Sequence, residues 1–128
     1  MTAAARRTWL AIGALLAGLA VVMGAFAAHA LEAQLDSEAM AIYRTGAQYH
    51  LYHALGLLLI AAVAGRGVHG GTSWIAAAVM LIGVVIFSGS LYLLALTGAS
   101  WLGAITPLGG TALVIAWLVL AVGAFRGG

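Results

Sequence analysis

Four long apolar runs divide the chain, at about residues 9–28, 43–64, 74–96 and 106–125, with short polar or glycine-rich stretches between them. None alternates with the period of two that marks a half-buried strand. A helix needs roughly 20 apolar residues to cross a bilayer core, and each run has about that length. The pattern predicts an all-α integral membrane protein. It is expected to be one transmembrane domain, residues 1–128, built as an antiparallel four-helix bundle.

The first run has two readings. Arg6-Arg7, the apolar stretch from Trp9 and Ala28-His29-Ala30 match a signal peptide with a small-x-small cleavage site. Trp9 to Ala28 is 20 residues, however, longer than the usual signal core of about 7–15. A retained first helix is therefore expected. Its Ala20, Gly24 and Ala28, four apart, form a small-residue stripe that would admit a close neighbour. Residues 29–42 hold all three acids, Glu32, Asp36 and Glu38, and with Leu31, Leu35 and Met40 read as a short amphipathic piece at the interface. Asp36 or Ser37 would cap the next helix, and His29 would pair with Glu32.

The second run carries the unusual chemistry. Arg44, Gln48, Tyr49, His50, Tyr52 and His53 sit at or inside its edge, and polar groups at bilayer depth mark function by default. With the helix entering the apolar layer near Thr45, His50 and His53 lie roughly 8 and 12 Å deep. On helix three, Ser90 and Ser88 come out about 9 and 12 Å below the same surface, and Thr111 of helix four falls at a similar depth. At 100° per residue Tyr49, His50 and His53 share a face with Gly46 and Gly56, to meet Ser88 and Tyr92 across the bundle. Arg44, Gln48 and Tyr52 form a separate ridge. Tyr43 reads as part of an interfacial aromatic belt, and Arg44 would snorkel outward or pair with Glu38 or Asp36.

Between the runs, Gly65 to Gly71 is a glycine-rich turn with His69 solvated in it, and Thr97 to Gly103 is a second turn with Trp101 at the interface. Pro107 falls in the first turn of helix four, where a missing N–H costs little. Arg6, Arg7, Arg66 and Arg126 end up on one side, and Arg44 with the acids on the other. That distribution puts both termini in the cytoplasm.

Composition narrows the chemistry further. Only 6% of residues are charged, against roughly 25% in soluble domains. Lysine is absent and the arginines are scattered, which leaves no nucleic-acid stripe. Without cysteine there is no disulfide framework, thiolate metal site or cysteine nucleophile. His50 and His53, three apart, are candidate metal ligands, but a zinc site needs three or four, with His29, Glu32 and Glu38 the only others near. Two histidines of one helix cannot both ligate one haem axially. No carboxylate shares the layer of Ser88 and Ser90, so a Ser-His-Asp hydrolase is a poor fit. The bland alternative is a network of neutral imidazoles bonded to tyrosine, serine and main-chain groups, registering the bundle.

Several stretches together resemble one family. Gly24-Ala25-Phe26-Ala27-Ala28-His29-Ala30 is similar to its GAFGAHG-type end of helix one, and Gln48-Tyr49-His50-Leu51-Tyr52-His53-Ala54-Leu55 to its QYHxxHAL core. Phe87-Ser88-Gly89-Ser90-Leu91-Tyr92, Ala95-Leu96-Thr97-Gly98, Ile105-Thr106-Pro107-Leu108-Gly109-Gly110 and Ala116-Trp117 resemble its remaining motifs. This is the family of YgdD- and YwdK-like proteins catalogued as domain of unknown function 423. The resemblance implies a small four-helix membrane protein and no established activity. It places His29, His50, His53, Ser88, Tyr92, Pro107 and Gly110 on motif positions.

The expected function is non-enzymatic helix association in the lipid bilayer, as a homo-oligomer or an accessory subunit of a larger membrane complex. The alternative is a protein that binds or transports a small molecule or lipid, or that holds a metal or haem, at His29, Tyr49, His50, His53, Ser88 and Tyr92. No cofactor is otherwise implied.

Overall fold

The computed structural model describes residues 1–127. Its elements are α1 (Ala3–Phe26), which runs on as a π-helical turn over Ala27–Leu31, then α2 (Ser37–Val63), α3 (Gly70–Thr97) and α4 (Leu102–Arg126). All four helices are long and apolar enough to cross a membrane, and no sheet forms among the described residues.

Every helix outruns its apolar stretch. The 27 residues of α2 make a rod of about 40 Å, longer than the roughly 30 Å hydrocarbon core. Hydropathy marks only the part that lipid selects, whereas the ends are set by caps. Thr2 accepts from the Ala5 N–H over 3.1 Å, and Asp36 from the Ala39 N–H over 2.8 Å, each satisfying an otherwise orphaned first-turn donor. His69, expected as a solvated loop residue, caps α3 through Nδ1, which accepts from the Gly71 N–H at 3.3 Å. Gly98 closes α3 in the left-handed conformation, φ +69°, that disfavours residues with a Cβ.

Three expectations change. Residues 29–42 are no interfacial helix of their own. Residues 29–31 finish the π turn of α1, 32–36 make the connection, and 37–42 open α2. Pro107 lies not in the first turn of α4 but well inside it, because Leu102 already starts the helix behind Trp101. The Gly103 carbonyl thereby loses its ladder donor. The Ala20-Gly24-Ala28 stripe does not stay on one face: Ala20 is buried, whereas Gly24 and Ala28 face outward. Four residues turn a helix by 400°, so a strict repeat of four winds around it.

The centre of the fold is the α2–α3 pair, which holds most of the buried residues. Packed against it, α1 lies on α2 and α4 on α3. Trp9 meets Trp74 edge-on at 6.3 Å between ring centres, a contact from α1 to α3. His53 lies 6.1 Å from Trp117, a contact from α2 to α4. The core has two apolar clusters. The larger gathers around Leu57, Ile60, Ala76, Met80 and Leu113, the smaller around Leu31, Met40, Tyr43 and Ala95. Much of the remaining surface is large and apolar, Leu15, Val85, Leu118 and Phe125 among it, as lipid contact requires.

Candidate functional site

The buried polar side chains of α2 and α3 begin where α2 turns a seam toward α3. Tyr43, Gly46, His50, His53, Leu57 and Ile60 recur at spacings of three and four and are all buried. Opposite, Ser88 donates to the Gly46 main-chain carbonyl over 2.8 Å, and the Tyr92 hydroxyl lies 2.9 Å from His50 Nδ1. Gly46 permits this approach, since a Cβ there would meet Leu91 Cβ at 3.2 Å. Burial without a partner is costly at such depth, and these pairings satisfy the groups in place.

His53 serves a different neighbourhood. Its Nδ1 lies 2.7 Å from the Tyr49 carbonyl one turn back, and its ring faces Trp117. Tyr49 itself sits about 100° off the seam, 40% exposed, stacked on His53 and leaning on Phe87 at 5.0 Å. His29 is exposed and makes no hydrogen bond in the layer; Glu32 pairs instead with Arg44 at 3.2 Å. The structure thus brings His50, Tyr92 and Ser88 around Gly46, keeps His53 on the α4 side, and leaves His29 and the Tyr49 hydroxyl outside. Among the described residues no three histidine or carboxylate side chains gather as a metal site would require.

Ser90 pairs with Thr106 at 2.6 Å, a hydroxyl contact between α3 and α4. Thr111, expected in the same layer, bonds back to the Pro107 carbonyl of its own helix over 2.8 Å. The outer ridge forms as expected, with Gln48 donating to the Tyr52 hydroxyl over 2.5 Å.

Tyr43 departs furthest from its expected place. Far from an interfacial belt, it is fully buried, tilted against Tyr92 at 5.0 Å between ring centres, and its hydroxyl donates to the Met23 carbonyl over 2.8 Å. A signal for this exists in the sequence: Tyr43 is seven residues before His50, hence on the same face.

One polar atom in this network is unsatisfied. His50 is 3% exposed, and its Nε2 is buried with no hydrogen-bond partner among the described residues. The ring lines an apolar cleft of about 200 Å³ between α1 and α3. A larger hollow of about 520 Å³ lies at the end of the fold, lined by Leu35, Asp36, Ala39 and Ser100. It contains none of the histidines.

Comparison with known proteins agrees with this architecture. Residues 23–110 match the family described as Protein of unknown function (DUF423). The UPF0382 membrane protein YwdK of Bacillus subtilis is 45% identical over 120 residues, covering 94% of this chain and 98% of its own. A UPF0382 membrane protein of Staphylococcus epidermidis is 43% identical over 120 residues, 94% and 97% of the two chains. One of Haemophilus influenzae is 37% identical over 125 residues, 94% and 96%. No solved structure matches. With four membrane-length helices and bacterial membrane-protein relatives along nearly its whole length, the chain is an integral, multi-pass bacterial membrane protein and belongs to the DUF423, or UPF0382, family.

Proposed function

We propose that the protein works by helix association in the bacterial inner membrane, as a homo-oligomer or as an accessory subunit of a larger membrane complex. The observation that carries this reading is the outward face of α1. Ala11, Ala14, Gly18, Val21, Ala25 and Ala28 are all exposed and recur at alternating spacings of three and four, the seam of two helices packed at a shallow angle. A Cβ on Gly18 would have no neighbour within 4 Å. Lipid offers no hydrophobic drive, so membrane helices associate through close backbone approach over such small residues. The outward Gln48–Tyr52 ridge adds polar groups that a protein neighbour serves better than lipid.

In this reading the helices run antiparallel with both termini in the cytoplasm. Arg6 and Arg66 flanking one hollow, and Arg126 beside Thr72 at the start of α3, support it through the positive-inside rule.

The test is the size of the protein–detergent complex, read by native mass spectrometry after mild extraction, with crosslinking in membranes beside it. A defined oligomer or stoichiometric complex is expected, lost when Gly18 and Ala25 are both changed to leucine. A strictly monomeric chain that crosslinks to no other protein would defeat the proposal.

A further inference from the structure

We propose that the cleft between α1 and α3 is a binding site for an uncharged, membrane-dissolved ring compound bearing a carbonyl, the class of the prenyl quinones, held by a hydrogen bond from His50 Nε2. The inference starts from the tautomer. The Tyr92 hydroxyl makes one hydrogen bond, to His50 Nδ1 at 2.9 Å. Its proton has no other acceptor among the described residues, so Tyr92 donates and Nδ1 accepts. In a neutral imidazole the remaining proton then sits on Nε2.

That N–H is a buried donor without an acceptor among the described residues. The Leu16 carbonyl of α1 lies toward the ring but makes no hydrogen bond with Nε2. An orphaned buried donor is rare and calls for an explanation such as an absent partner.

The surroundings select that partner. Leu16 and Leu19 of α1 and Val84 and Val85 of α3 line the cleft with no charged side chain among them, and the two hydroxyls at its wall, Ser88 and Tyr92, are already engaged with the Gly46 carbonyl and His50. Its volume of about 200 Å³ suits one ring, since an apolar cavity of roughly 150 Å³ takes benzene. With α2 entering the apolar layer near Thr45, His50 lies roughly 8 Å inside it. Acyl ester carbonyls lie near the membrane interfaces, roughly 15 Å from the mid-plane of a 30 Å core. A carbonyl on a freely dissolved lipophilic ring reaches the depth of His50; a swing of the half-buried Leu16 side chain admits it to Nε2.

The test uses the full chain, labelled with ¹⁵N-histidine, in an alkyl maltoside detergent that has no carbonyl. The probe is a decyl-substituted dimethoxy-methyl-benzoquinone, and the control a decyl-methylbenzene of the same shape. The expected spectrum shows the proton of His50 on Nε2, with that resonance shifting saturably on adding the quinone. The quinone should bind about tenfold tighter than the control, the worth of one hydrogen bond near 1.4 kcal/mol. Gly89→Leu should block the shift: Gly89 stands on the cleft rim with no atom within 4 Å of an added Cβ, so the fold and the Tyr92 bond survive. A proton on Nδ1, equal binding of quinone and control, absence of saturable binding, or an undiminished shift in Gly89→Leu would each overturn the proposal. So would an Nε2 shift that appears with ester-linked but not ether-linked phospholipid in nanodiscs and that quinone does not displace. That result would assign the acceptor to a lipid ester.

Discussion

The hydroxyl of Tyr43 donates to the Met23 main-chain carbonyl over 2.8 Å, joining α2 to α1. Met23 stands four residues before α1 widens into its π turn, where the Ala27 N–H is shared between the Met23 and Gly24 carbonyls. The Met23 carbonyl thus carries a side-chain donor in addition to its main-chain one, just ahead of the π turn at Ala27–Leu31.

Removing that hydroxyl isolates its contribution. Tyr43→Phe keeps the ring against Tyr92 and should cost about 1 kcal/mol, the usual net worth of one such bond. Tyr43→Ala opens a cavity in a fully buried position and should cost about 3–5 kcal/mol. Reversible unfolding in mixed micelles reads both. Equal losses for the two variants would show that the ring contributes nothing.

The α3–α4 contact turns on Gly109. An added Cβ there would lie 2.7 Å from Phe87 Cα and 2.9 Å from Phe87 Cβ, so backbone would have to part. Gly109→Ala should destabilise by about 1–3 kcal/mol, as overpacking does. Gly89→Ala, which meets open space, should be neutral or stabilising by up to about 1 kcal/mol from helix propensity. The pair is measured side by side in the same unfolding experiment, and opposite signs are the expected result.

The Arg44–Glu32 ion pair is well formed but exposed, with side-chain exposures of 60% and 63%. Such pairs contribute little, and Arg44→Gln should change stability by less than about 0.5 kcal/mol. A thermal midpoint that fell by many degrees would reveal a role beyond the pair.

Orientation is open to a clean experiment because the chain has no cysteine. Ala33→Cys and Ser100→Cys, both at exposed positions of one end, should react with an impermeant maleimide in intact spheroplasts. His69→Cys should react only after permeabilisation. The reverse pattern would place the termini outside.

Much of the architecture is legible in the apolar pattern alone. Four runs of bilayer length dictate four spanning helices, since main-chain groups in lipid have no other way to be satisfied with this pattern. Matching depths also put Ser88 and Ser90 in one layer with His50 and His53, and a four-residue spacing puts Ser88 and Tyr92 on one face of α3. Helix ends are less visible, because caps such as Asp36 and His69 act beyond the apolar window that marks a span.

Depth along a helix is one-dimensional, and hydropathy alone determines it. Rotation about the helix axis and the choice of neighbour are decided by close packing, which no single run contains. Hence the sequence by itself determined membrane helices, their number and the level of the polar groups. Tertiary structure decided that Tyr49 and His29 turn outward and that Glu32 takes Arg44. It also decided that His50 has one nitrogen tied to Tyr92 and the other left free beside an apolar cleft. Those outcomes rest on which side chains of α1 and α3 crowd each face of α2, a three-body property of the packed helices.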